Sequence, residues 1–200
     1  MSLASQTEKF SYAIGLSLAS NLLQSGIMEV ELNALYSAIG DVMEGRQPQM
    51  SPKEANDLIE SFFKNKQNNE GAANVEEGKA FLEQNKKEEG VVELESGLQY
   101  KIINEGNGAK PGATDKVRCH YHGSLINGTV FDSSVERGQP AEFPVNGVIQ
   151  GWVEALQMMS VGSKWRLFIP PHLAYGDQGA GGAIGPKTTL IFDVELLEIV

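Results

Sequence analysis

The sequence predicts an α+β protein, in which a helical amino-terminal part is followed by antiparallel strands around one short helix. Three observations point there. Composition changes near Gly90: after it fall six of the eight prolines, 15 of the 22 glycines, both tryptophans and all three histidines. Before it, apolar residues recur at three- and four-residue spacing, and after it they alternate in runs bounded by glycine and proline. With 41% apolar residues over 200 positions, the chain can bury a sizeable core.

The elements follow in order. Ser5 and Glu8 form a capping box ahead of Phe10, Ile14, Leu18 and Leu22, one face of a first helix that Gly26 ends. Tyr12, Leu16 and Leu23 add apolar surface on its other sides, more than one neighbour would cover. A second helix is expected from about Glu29 to Glu44, with Leu32, Leu35, Tyr36, Ile39, Val42 and Met43 inward. Ser51-Pro52-Lys53-Glu54 opens a third helix with a cap and a proline at the first helical position. No proline interrupts it before Gly90, so it is expected to run about 39 residues, or about 58 Å. Leu58, Ile59, Phe62 and Phe63 give its start a packing face. From Asn65 onward it reads as polar all round, the pattern of a helix that bridges solvent between domains. Gly71 and Gly78 read as weak points where it bends. Three helices, one of them mostly solvated, make a poor core alone, which implies a homodimer formed through residues 1–50. The expected organisation is a helical dimerisation region at 1–50, a long linking helix at 51–90 and a sheet domain at 91–200.

Within the sheet domain, Leu98, Tyr100 and Ile102 alternate, as do Val117, Cys119 and Tyr121. Trp165, Leu167 and Ile169 form another strand, and Leu190, Phe192, Val194 and Leu196 close the chain. Trp152, Leu156 and Met159 lie at helical spacing between Val148 and Met159. Residues 128 to 143, GTVFDSSVERGQPAEF, read as a loop holding an aromatic ring, Phe131, beside a carboxylate, Asp132.

Several chemistries are excluded. A net charge of -10 argues against nucleic acid or an anionic membrane as partner. The uncharged run from Phe10 to Met28 is interrupted by serines, Asn21 and Gln24, too polar for a membrane span. The segment ahead of it holds both Glu8 and Lys9 and lacks a positively charged n-region, so an export signal is not expected there. The single Cys119 excludes an intramolecular disulfide and fits a reducing compartment, so a cytoplasmic place is expected, with a periplasmic or cell-surface one as the alternative. His120 and His122 share a strand face, but no further ligand cluster accompanies them, so they read as surface histidines and no metal is expected. The run GDQGAGGAIG at 176–185 lacks dinucleotide spacing and leads into a strand, so it reads as a mobile surface loop and no cofactor is expected. No histidine stands in a context that would activate a serine. What remains is a set of apolar side chains, Tyr121, Phe131, Phe143, Val148, Ile149, Trp152, Tyr175 and Phe192. Each is core by default, yet together they are numerous enough to suggest an apolar pocket.

Three segments, VRCHYHGSLINGTVFDSS, VIQGWVEALQMMSVGSKWRLFIPPHLAYG and TTLIFDVELLEI, resemble in order and spacing an FKBP-type peptidylprolyl cis-trans isomerase domain over about residues 91–200. The helical part is similar in architecture to the dimerisation module of the bacterial Mip-like branch. The resemblance implies a half-barrel of antiparallel sheet wrapped on the short helix, with an X-Pro pocket between them. It implies Tyr121, Asp132 and Tyr175 as catalytic positions, and Phe131, Arg137, Val148, Ile149, Trp152, Ile184 and Phe192 as substrate-binding ones. Trp152 would form the floor, the Tyr175 hydroxyl would hold the substrate carbonyl, Ile149 would offer its backbone N–H, and Arg137 would pair with Asp132. Implied partners are X-Pro segments of unfolded or partly folded proteins, and the macrolide inhibitors of the family. Ala141, Ala180, Ala183 and Gly185 depart from the bulkier residues common at those positions, which implies a smaller, looser rim. The competing reading is a non-catalytic dimeric chaperone or binding module that uses the same pocket.

Overall fold

The computed structural model describes residues 3–200. The chain divides into two compact units, with the boundary between Ile59 and Glu60.

In the first unit, α1 (Gln6–Gln24) starts from the expected capping box. The Glu8 N–H donates to Ser5 Oγ at 3.1 Å, and the Glu8 carboxylate accepts from the Ser5 N–H at 2.8 Å. α2 (Leu32–Met43) is capped by Glu31, whose carboxylate accepts from the Asn33 and Ala34 N–H groups. Neither helix has a core of its own. α1 buries no residue, and Phe10 is 67% exposed. The α2 face expected to point inward is open at Leu32, Tyr36, Val42 and Met43, because nothing in the unit covers it. Asp41 alone is buried there among the described residues, paired with Arg46 Nε at 2.9 Å.

The boundary falls within α3 (Pro52–Asn85), which is helical throughout with no break at Gly71 or Gly78. Its part beyond Glu60 differs from the solvent-bridging expectation. Gly71, Asn74, Val75, Gly78, Phe81, Leu82 and Asn85 form a buried or half-buried stripe at three- and four-residue spacing. That stripe lies on the sheet of the second unit. The glycines permit close approach: a Cβ at Gly78 would stand 2.4 Å from Thr189 Oγ1, and one at Gly71 would touch Pro186 and Lys187. Gln99, wholly buried, donates from Nε2 to the Leu82 carbonyl and accepts at Oε1 from Asn85 Nδ2, at 3.0 and 2.8 Å. The Phe81 and Phe168 rings lie 5.9 Å apart.

The second unit carries β1 (Val91–Glu93), β2 (Gln99–Asn104), β3 (Lys116–Leu125), β4 (Val130–Ser133), β5 (Ala141–Pro144), α4 (Gln150–Met158), β6 (Lys164–Ile169) and β7 (Leu190–Ile199). All strand pairs are antiparallel, in the order β1-β2-β6-β7-β3-β4, with β5 also on β3. The alternation read from the sequence holds in β3, β6 and β7 but fades along β2, from Leu98, buried just ahead of it, through half-buried Tyr100 to exposed Ile102. Val117, Cys119, Leu167, Ile169, Leu190, Val194 and Leu196 are fully buried on one face, against Ala155 and Leu156 of α4. Residues 128–143 are less irregular than expected, for they contain β4 and all but the last residue of β5, both strands paired to the long β3. The Phe-Asp pair therefore stands on a strand, and Asp132 is opposite Gly123.

Candidate active site

Between the inner sheet face and α4 lies a cavity of about 570 Å³. Nine of the ten site residues expected from the sequence line it: Tyr121, Phe131, Asp132, Val148, Ile149, Trp152, Tyr175, Ile184 and Phe192. The tenth, Arg137, stands at its edge and reaches in through Asp132 and Tyr121. Phe143, Gly147, Gly181 and the two alanines Ala180 and Ala183 complete the lining. Ala141 takes no part in it and pairs with Cys119 in the sheet.

Each wall follows from local structure. The strand period points Tyr121 and Phe192 inward from adjacent strands. Trp152, on the first turn of α4, lies under the rings at 4% exposure. It meets Tyr121, Phe143 and Phe192 edge-on at 5.5, 5.8 and 5.3 Å between ring centroids, the arrangement that aromatic quadrupoles favour. Phe131 meets Phe192 edge-on at 5.4 Å. Gly123 makes this possible: a Cβ there would stand 2.7 Å from ring atoms of both Phe131 and Phe192. No sequence signal singled out this glycine, since its role depends on β4 and β7 meeting over it.

The polar side of the cavity is one linked group. The Tyr121 hydroxyl donates to Asp132 Oδ2 at 2.5 Å and accepts from Arg137 Nη2 at 2.9 Å. Arg137 Nη1 also pairs with Asp132 Oδ1. Partial burial pushes the Asp132 carboxyl up, but the Tyr121 and Arg137 hydrogen bonds and the arginine's charge outweigh it, so it ionises below the usual carboxylate range. Burial, then the neighbouring carboxylate, pushes the Tyr121 hydroxyl up. At neutral pH the site thus holds an anionic carboxylate locked to a cation and a neutral phenol, an arrangement suited to orienting and unsuited to abstracting protons.

The glycine-rich segment after Tyr175 carries backbone bonds of its own. Ala180 and Ile184 exchange both backbone hydrogen bonds, at 2.9 and 3.0 Å, and the Lys187 N–H closes its base on the Gly176 carbonyl at 2.8 Å. His120 and His122 lie outside the cavity, with their Nδ1 atoms on the Ser134 and Ser133 hydroxyls. No group of three or more potential metal ligands occurs among the described residues.

An aromatic-floored cavity between a curved sheet and a short helix, with one polar group at its side, defines a domain that holds an apolar group by enclosing it. The comparisons give that class its family. Residues 107–197 match the family FKBP-type peptidyl-prolyl cis-trans isomerase, and residues 7–102 match the domain amino terminal to it. The chain is 50% identical over 192 residues to the FKBP-type 22 kDa peptidyl-prolyl cis-trans isomerase of Escherichia coli (strain K12), covering 94% of this chain and 93% of that protein. It is 43% identical over 205 residues to the Outer membrane protein MIP of Legionella longbeachae, covering 99% and 88%. The crystal structure of FkpA from Escherichia coli superposes with a TM-score of 0.75 at 33% identity, covering 99% of this chain and 98% of that one. The chain belongs to the FKBP-type peptidyl-prolyl cis-trans isomerases, in the branch with an amino-terminal helical domain. The cytoplasmic expectation finds no support in these relatives, and the name of the Legionella protein fits the periplasmic or cell-surface alternative. Among the described residues no helix is long and apolar enough to cross a membrane.

Proposed function

We propose that the cavity holds the prolyl ring of an X-Pro segment and lowers the barrier to rotation about its amide bond. The observation that carries this reading is the gathering of Tyr121, Phe131, Trp152 and Phe192 with Asp132 around one space, with no nucleophile beside it. The barrier of about 18–20 kcal/mol is mainly lost amide resonance. The twisted amide is less polar at its carbonyl than the planar one, so an apolar enclosure disfavours the planar state more, and only such differential interactions speed the step. Trp152 is the floor, Phe131 and Phe192 flank the ring, and Val148 and Ile184 close the sides. Tyr175, 41% exposed at the rim, offers its hydroxyl to a substrate carbonyl, and Ile149 offers its backbone N–H beside it. Asp132 orients and polarises, held in place by Arg137 and Tyr121. In Asp132→Ala, kcat/KM for a proline-containing peptide should fall several-fold with the fold intact. Unchanged isomerisation refutes the role of Asp132. A macrolide inhibitor of the family should compete with the peptide.

The apolar surface of the first unit supports a homodimer and, with it, chaperone-like binding of unfolded chains. Phe10, Tyr12, Ile14, Leu16 and Leu23 are each more than half exposed along a single helix, more than a monomer of this size ordinarily presents. A dimer formed through these helices covers them and brings two cavities onto one client. A fragment starting at Glu60 keeps the α3 segment that packs on the sheet. It should sediment as a monomer and isomerise peptides, while losing most of the acceleration of proline-limited protein refolding. Equal refolding activity in fragment and full chain removes the client-binding role, and a fragment inactive on peptides favours the binding-module reading.

A further inference from the structure

The cavity rim formed by residues 176–188 carries five glycines and two alanines, so its own side chains hold it weakly and its ordering entropy is high. Beyond its own backbone bonds and the exposed Lys187–Asp177 pair, it is held from α3. Asn74 Nδ2 donates to the Pro186 carbonyl at 2.8 Å and to Thr188 Oγ1 at 3.2 Å, and the Thr188 hydroxyl donates in turn to the Gly185 carbonyl at 2.9 Å. On the other limb, Gln67 Nε2 donates to the Asp177 carbonyl at 3.3 Å. Both limbs of the rim are thus held by one helix face, while Ala180, Gly181, Ala183 and Ile184 between them line the cavity. Gly185 is part of the same fit. A Cβ there would stand 3.2 Å from Asn74 Nδ2, so a side chain at 185 would push the asparagine back by a few tenths of an ångström.

We propose that Asn74, seconded by Gln67, is a positioning residue for the isomerase site, acting through the 176–188 rim to set how tightly the cavity closes on its substrate. The proposal rests on the cavity being the isomerase site and adds the helix that governs it. Neither side chain lines the cavity. Their effect comes through the fraction of time the rim is closed, so it falls on substrate binding more than on bond rotation.

In the full chain, Asn74→Ala should raise KM for a proline-containing peptide about fivefold with kcat within about twofold. Amide exchange should quicken at Ala180 and Ile184 and stay unchanged in β3 and β7. Asn74→Asp keeps the size but removes the donor, and should show the same defect. Gln67→Ala, which removes one longer hydrogen bond from an exposed side chain, should show a smaller shift in the same direction, and carries the test if the Asn74 variants fold poorly. Unchanged KM and rim exchange in a folded Asn74 variant overturn the proposal, as does a fall in thermal stability with no change in KM, which marks a purely structural contact. Failure of the site itself would look different, as a native chain without peptide isomerisation.

Discussion

Gly123→Ala tests the cavity wall with one methyl group. The added Cβ would lie 2.7 Å from ring atoms of Phe131 and Phe192, well inside contact distance, and both rings belong to packed neighbours. Overpacking of this kind costs about 1–3 kcal/mol. Loss of glycine's backbone freedom offsets at most about 1 kcal/mol of that. The crowding therefore wins, and a net loss of about 1 kcal/mol should lower the melting temperature of the second unit by roughly 3–4 °C. Relief is easiest at Phe131, since β4 is short and only partly buried, so the wall should open and kcat/KM fall by at least about fivefold, near 1 kcal/mol of barrier. Thermal unfolding followed by tryptophan fluorescence, together with a peptide isomerisation assay, reads both effects. Gly112→Ala is the control. Its methyl would meet Asp115 Oδ2 at an ordinary 3.5 Å, and its effect should stay within about 0.5 kcal/mol. A Gly123→Ala protein as stable and as active as the native one would refute the reasoning that ring crowding over this glycine sets the wall.

Two further predictions concern titration. Because Asp132 ionises below the usual carboxylate range in the folded protein, its pairing with Arg137 is present above the unfolded-state value of about 4 and is lost as pH falls through the lower folded value. Activity should therefore be flat from about pH 5 to 8 in a pH–rate profile, and Arg137→Ala should move the acid limb upward. An acid limb that stays in place would sever the link between arginine and carboxylate. Burial pushes the Cys119 thiol up to about 12, so it stays neutral and shielded at pH 8. A thiol reagent should label it only as fast as the domain opens, and rapid labelling of the native protein would contradict the packing around β3.

The sequence was most legible where structure is local. Ser5 with Glu8 marked the start of α1 because a capping box is complete within four residues, and the alternation of Val117, Cys119 and Tyr121 survives because a strand's period needs no partner to be seen. β4 and β5 were not legible. Four residues such as Ala-Glu-Phe-Pro show no usable period, and they are strands only because β3 offers both a ladder. The docking face of α3 was hidden for another reason. Its apolar members, Val75, Phe81 and Leu82, are few, and the rest of the contact is made by Gly71, Asn74 and Gly78, residues that hydropathy scores as polar or neutral and whose value lies in how near they let the sheet come. The cavity residues lie between positions 121 and 192, too far apart for spacing to join them, and the family resemblance supplied that link where composition gave only a surplus of aromatic rings. Arg137 was placed by the same route, and its guanidinium contacts both Asp132 and Tyr121.

The sheet of the second unit is occupied on both sides, and the two sides serve different ends. Leu167 and Ile169 turn toward α4 and the core beside the cavity, whereas Phe168 between them turns to Phe81 on α3. The domain is thus gripped by its back. The same helix also reaches the cavity rim, through Asn74 on the Pro186 carbonyl and Gln67 on the Asp177 carbonyl, so the backing of the sheet and the edge of the cavity share one support.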